Sequence, residues 1–235
     1  PLAFNLNYEA ISSESKVNDL LGNKLKAVAF PKGSVIGQQS KIGYVIRGSY
    51  YNIHEVIYKL QTKDLLVEVA ERPFGAKVNE TVTEFGPGSV FIPSGSQKVH
   101  NDTLYQWIKN LAAVSGVKIH SLETGLTGMG IDFGSNNFES LNKPKILLMA
   151  GDGVNRYSAG SAWHLLDERF QVPVVLVKPG QLSRINLFEY NTLILPDGYY
   201  HLGDRTYEKL DQWVKEGGVI VALEDANRWL DKKGF

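Results

Sequence analysis

The sequence predicts an α/β protein of two similar units, each a three-layer sandwich with a mainly parallel sheet. Three observations predict it. First, residues 145–198 alternate short apolar runs with an amphipathic segment. The runs are Ile146-Leu147-Leu148-Met149-Ala150, Val174-Val175-Leu176-Val177 and Leu193-Ile194-Leu195, and the segment 157–170 carries Ala162, Leu165, Leu166 and Phe170 on one side. Such runs read as buried parallel strands joined by crossovers. Second, an earlier series has the same order of elements at a constant offset. Gly48 and Gly151 are 103 positions apart, as are Gly95 and Gly198 at the ends of Val90-Phe91-Ile92-Pro93-Ser94-Gly95 and Leu193-Ile194-Leu195-Pro196-Asp197-Gly198. Thr103 and Thr206 keep that offset at the head of a helix, and Gly116-Val117 and Gly218-Val219 keep 102 before the last strand. The repeat reads as two copies of a unit of about 100 residues, a common domain size. Third, with 43% hydrophobic and 21% charged residues over 235 positions, the composition is that of an ordinary globular protein.

Taken in order, residues 1–40 read as a lead-in, with a short helix over 17–21, a strand over 25–30 and a turn at Pro31-Lys32-Gly33. The first unit and its connector occupy 41–142. Tyr44-Val45-Ile46 is a strand. Ile53, Val56, Ile57 and Leu60 fall at helical spacing. Strands follow at 65–69 and 89–92. Asp102 or Thr103 caps a helix to Val114 that buries Leu104, Trp107, Ile108 and Leu111. A fourth strand covers 117–122, and the Gly-, Ser- and Asn-rich stretch 124–142 reads as connector. The second unit, 143–235, has strands near 145–150, 173–177, 191–195 and 218–223, with helices near 157–170, 204–216 and 226–232. Both units fit a sandwich of the flavodoxin type.

Composition narrows the function. Lys+Arg and Asp+Glu both number 25, so no basic excess points to nucleic acid or an anionic membrane. No apolar run approaches the roughly 20 residues of a membrane span. With no cysteine there is no disulfide, thiol nucleophile or thiolate metal site. The chain starts at Pro1 rather than Met, ends at Phe235 just after a predicted helix, and reads as a piece of a longer protein.

Ligands of such sheets bind at the carboxyl ends of the strands. The candidate ligand-binding residues there are Gly151, Asp152, Gly153, Asp197, Gly198, Glu224 and Asp225. Gly151-Asp152-Gly153 stands where a phosphate loop would, but Arg156 replaces the third glycine of the dinucleotide fingerprint, and no Gly-Lys-Ser/Thr follows. A tight turn accounts for it better. Asp197 ends the third strand within a Pro-Asp-Gly turn, beside Tyr199-Tyr200, an aromatic pair of the kind that rims sugar and peptide sites. Glu224-Asp225 opens a helix, where carboxylates also serve as caps. His120 and Glu123 match the His-x-x-Glu spacing of zinc carboxypeptidases, with His164 or His201 as further ligands and Glu224 as a base. Residues three apart on a strand point to opposite faces, so this pair cannot share a metal without a bend. No Gly-x-Ser-x-Gly elbow occurs. Ser161 reads as a helix-packing residue and His164 as a partly buried structural histidine. The sequence therefore offers no catalytic set and no metal ligands of its own.

Pro144-Lys145-Ile146-Leu147-Leu148, Tyr157-Ser158-Ala159-Gly160, Trp163-His164-Leu165-Leu166-Asp167, Tyr190 through Gly198 and Gly217 through Leu223 together carry a family resemblance. The second unit resembles the class I glutamine amidotransferase-like domain, in the version appended to secreted bacterial zinc carboxypeptidases of the carboxypeptidase A type. Asp132-Phe133-Gly134-Ser135 resembles the joint before that domain. In working amidotransferases a Cys occupies the elbow corresponding to residues 223–225. Here Glu224 and Asp225 stand there, so thioester chemistry is excluded. The resemblance implies non-catalytic accessory α/β domains of a zinc carboxypeptidase, a secreted or periplasmic parent, zinc held only in its peptidase domain, and that domain as partner. The alternative reading is a small-molecule hydrolase, or a sugar- or peptide-binding domain, using strand-end carboxylates.

Overall fold

The computed structural model describes residues 9–24, 26–27 and 31–235. The chain divides into two compact units, Pro1–Pro31 and Lys32–Phe235. The first holds helix α1 (Glu14–Leu20), which begins three residues before the expected helix. The strand expected over 25–30 lies outside the described residues, Lys26 and Ala27 excepted.

The Lys32–Phe235 unit is α/β, with separate sheets in its earlier and later halves. The earlier half has a six-stranded sheet of β1 (Ser34–Ile36), β2 (Gly43–Ile46), β3 (Glu68–Ala70), β6 (Val90–Pro93), β7 (Lys118–Ser121) and β9 (Phe138–Ser140), in the order β1-β7-β2-β6-β3-β9. Between β3 and β6 lie β4 (Phe74–Val78) and β5 (Thr81–Phe85), which form a three-stranded sheet with β8 (Thr127–Gly130). Helices α2 (Ile53–Gln61) and α3 (Asn101–Ser115) cover one face of the large sheet. Val56, Leu60, Leu104 and Ile108 pack there on Tyr44, Ile46, Val90, Ile92 and Ile119. The small sheet covers the other face, where Phe74, Phe85 and Phe138 meet Val45 and Phe91.

This half departs from the expected parallel sheet. Among the described residues, only β1 and β7 pair in parallel in this sheet; β2 with β6, β2 with β7, β3 with β6 and β3 with β9 are antiparallel. With α2 and α3 between them, β2, β3, β6 and β7 form a split β-α-β arrangement. The layers run helix, sheet, sheet. The connector supplies β8 and β9, one to each sheet, and the lead-in supplies β1.

The later half has a four-stranded parallel sheet, β11 (Val174–Val177), β10 (Ile146–Met149), β12 (Thr192–Leu195) and β13 (Val219–Ala222), in that spatial order. Helices α5 (Asp204–Lys215) and α6 (Asp225–Lys233) and two 3-10 turns bury one face on Leu147, Met149, Leu193 and Leu195. Helix α4 (Arg156–Trp163) continues without a break as a π-helical turn, His164–Arg169, and covers the other face over Ile146, Leu148 and Ile194.

The two halves thus share an order of elements and differ in wiring. After β3 the β4–β5 hairpin returns the chain to the end it left, so β6 runs antiparallel. After β11 the 3-10 turns Pro179–Arg184 and Leu187–Glu189 carry the chain back across the sheet, so β12 runs parallel. The offset of about 103 residues records element order and carries no strand direction.

Candidate functional site

The loops after β10, β12 and β13 meet at the carboxyl ends of the parallel strands. Gly151 and Gly153 have φ of +116° and +82°, values that favour glycine. A Cβ on Gly153 would lie 2.6 Å from Tyr199 O, and one on Gly198 the same distance from Gly153 O. The glycines therefore allow two loops to touch. Tyr199 N–H donates to Gly153 O at 2.8 Å across this contact, and Asn155 N–H donates to Asp197 O at 2.8 Å. The Gly-Asp-Gly stretch is a close-approach turn, as its sequence predicts, and Asp152 is exposed beside it.

A phosphate would find little at the start of α4. The Asn155 side chain already accepts from the N–H groups of Tyr157 at 3.0 Å and Ser158 at 3.4 Å. Asp197 is similarly engaged. Its Oδ2 accepts from Asn155 Nδ2 at 2.9 Å, its Oδ1 accepts from Asp225 N–H at 3.3 Å, and its own N–H donates to Ser158 Oγ at 3.0 Å. One half-buried carboxylate thus joins the ends of three strands and caps α6. Tyr200 is buried beneath it, its hydroxyl donating to Pro196 O at 2.6 Å. Burial, and then the Asp197 charge, raise the Tyr200 pKa, so the phenol stays protonated.

Glu224 occupies the β13-to-α6 elbow with φ +50° and ψ −120°, a backbone state that costs a non-glycine residue about 1–3 kcal/mol. Its side chain is exposed and lines a groove of about 630 Å³ against α4, with Ser158, Leu166, Ile194, Val221 and Leu223. Asp225 lines a different pocket, of about 620 Å³, against the loop before α5. There Tyr199, Tyr200 and Trp229 form an aromatic wall, and Arg228, Lys232, Lys233 and His201 give a basic rim. Asp225 pairs with Arg228 at 3.2 Å. The consecutive carboxylates therefore open onto opposite faces of the sheet. Among the described residues, no hydrogen bond joins the side chains of Asp197, Glu224, Asp225 and His201 to one another.

His120 and Glu123 are separated, although not by alternation along one strand: β7 ends at Ser121, and Glu123 lies in the bend beyond it. His120 is buried edge-on against Phe85, with ring centroids 5.2 Å apart, and its Nδ1 has no partner among the described residues. Burial, helped by the charges of Arg47 and Lys118, lowers its pKa to about 4. Glu123 lies at the surface, 3.5 Å from Lys77 Nζ and accepting from Glu80 N–H at 2.9 Å. Among the described residues, no group of three or more His, Asp or Glu side chains is placed to hold a metal ion. Among them, too, no helix is long and apolar enough to cross a membrane. His164 and Ser161 are exposed, so neither has the packing role read from the sequence.

The basic and aromatic pocket escaped the sequence reading in part. Tyr199 and Tyr200 stand out beside Asp197, but Arg228, Trp229 and Lys232 lie in the predicted helix near 226–232, where nothing in the sequence singles them out. Scans against protein-family models, curated proteins and solved structures found no match to this chain.

Proposed function

We propose that this chain is a non-catalytic accessory α/β module of a zinc carboxypeptidase, one that binds a ligand at its strand ends. Proteolysis and zinc would belong to a peptidase domain of the same, exported polypeptide. The observation that carries the non-catalytic reading is the divergence of Glu224 and Asp225 onto opposite faces, with Asp197 spent on bracing loops. A nucleophile–base set needs groups within hydrogen-bond reach. The link to a peptidase rests on the resemblance of residues 144–167 and 190–223.

The basic pocket suits an organic anion with a ring, such as the aromatic carboxylate end of a peptide. Trp229 and Tyr200 would pack on the ring, and Arg228 and Lys232 would face the charge. Docking onto the peptidase domain would use the outer face of the small sheet. Val82 and Met129 are both about half exposed there and lie side by side across Gly75.

The test is zinc content and C-terminal residue release on the purified chain, with a titration in the same buffer. We expect no bound zinc, no release, and quenching of Trp229 fluorescence by N-acetylphenylalanine but not by its amide. Trp229→Phe identifies the responding tryptophan. One zinc per chain with peptide hydrolysis would overturn the reading.

A second reading, a small-molecule hydrolase with Glu224 as base, draws on the strained backbone at that elbow, since such strain gathers at functional sites. It requires turnover that Glu224→Gln abolishes.

A further inference from the structure

A cavity of about 450 Å³ opens between the two halves of the Lys32–Phe235 unit, away from the strand-end loops. Ile57, Tyr58 and Gln61 of α2 line one side, and Leu165, Leu166 and Phe170, from the π-helical turn and its end, line the other. Its volume lies in the range of small-molecule sites, which favour the junctions between domains. Three features define an occupant. Among the described residues, no Lys, Arg, Asp or Glu lines the cavity, so a charge brought in would be unpaired and costly. Apart from Gln61, Asn142 and His54 the wall is aliphatic and aromatic, with Phe170 held between Tyr51 and His54 at centroid distances of 5.8 and 5.3 Å. Gln61 is only 5% exposed; its Nε2 donates to Leu141 O at 2.9 Å and its Oε1 has no partner among the described residues. A buried acceptor left open in an apolar wall calls for a donor. The π-helical turn is a second pointer, because these rare turns gather at functional sites.

We propose that this cavity binds a neutral, flat, apolar molecule carrying one hydroxyl, with the ring between α2 and the π-helical turn and the hydroxyl donating to Gln61 Oε1. A small opening of the wall around Gln61 brings the two atoms together. The site shares no residue with the basic strand-end pocket, borders the Glu224 groove at Leu165 and Leu166, and does not depend on the module's parent protein.

The probe is 2-naphthol, with naphthalene as the control that lacks the donor, titrated by calorimetry. The expected result is one site per chain, with 2-naphthol about tenfold tighter than naphthalene, the worth of one net hydrogen bond. Gln61→Met should remove that preference and leave naphthalene binding unchanged. Leu165 is a partly exposed rim residue, so Leu165→Trp should fold, by circular dichroism, and block both probes. Trp229→Phe, in the other pocket, should change neither. Equal affinity for the two probes, wild-type binding in Leu165→Trp, or no binding up to the probes' solubility would each overturn the proposal.

Discussion

Asn155 Nδ2 donates to Asp197 Oδ2 at 2.9 Å, which ties the first residue before α4 to the loop after β12. The other Asp197 oxygen caps α6. The carboxylate is therefore a structural fastener at the place where a ligand group was expected. Asp197→Ala should lower unfolding stability by about 2 kcal/mol, since hydrogen bonds to charged groups are worth roughly 1.5–3 kcal/mol. Asp197→Asn should fall between. An asparagine can still accept from Asp225 N–H, but it presents an N–H group to Asn155 or loses that contact. Urea denaturation gives the ranking; equal stability of all three proteins would remove the fastener role.

Glu224 stores strain that nothing in its hydrogen bonding explains. Glu224→Gly should raise stability by about 1 kcal/mol, because glycine adopts positive φ freely and gives back part of the gain as chain entropy. Glu224→Ala keeps the strained backbone and should leave stability nearly unchanged. The contrast separates backbone strain from any effect of removing the carboxylate, and thermal melts of both variants measure it.

The later half was the more legible in sequence because all four strands read as unbroken apolar runs, although only the central β10 and β12 are buried on both faces. The edge strands β11 and β13, expected to be buried, expose Val175, Leu176, Val219 and Val221. Met149, Leu148 and Leu195 are fully buried, as such runs require. The β4–β5 hairpin was missed for a local reason. Its two-residue turn is Asn79-Glu80, with φ of +46° and +64°, where a glycine would have announced it. Phe133 and Phe138 gave little warning either, two aromatics in a Gly- and Asn-rich connector, yet both pack on Phe74 and Phe91. At the site, the glycine turn and the Asp197 corner could be read from residue type. The split of Glu224 and Asp225 between two faces could not, because it depends on the twisted elbow backbone.

Gly153→Ala and Gly198→Ala should each destabilise the chain by more than about 1 kcal/mol. Either new Cβ would meet a carbonyl oxygen at 2.6 Å, and Gly153 also has positive φ. Both act on the loop contact that Asp197 braces, so each combined with Asp197→Ala should cost less than the sum of the single changes. Additive losses in the double mutants would show that the two loops are held independently.

His120 should make stability depend on pH. Its folded pKa is lowered to about 4 from an ordinary value near 6.5, chiefly by burial and further by Arg47 and Lys118. Between those values the unfolded chain binds a proton that the folded chain refuses. Stability from this group is therefore full above about pH 6.5 and is lost as pH falls toward 4, by an amount on the order of 3 kcal/mol. Carboxylates titrate in the lower part of this window, so the useful quantity is the difference between wild type and His120→Leu. The leucine breaks no Nδ1 hydrogen bond to any of the described residues. Urea midpoints at pH 7.5 and 4.5 should converge for the variant and diverge for the wild type. A wild-type pH dependence no steeper than that of His120→Leu would mean that the histidine is protonated in its buried place beside Phe85.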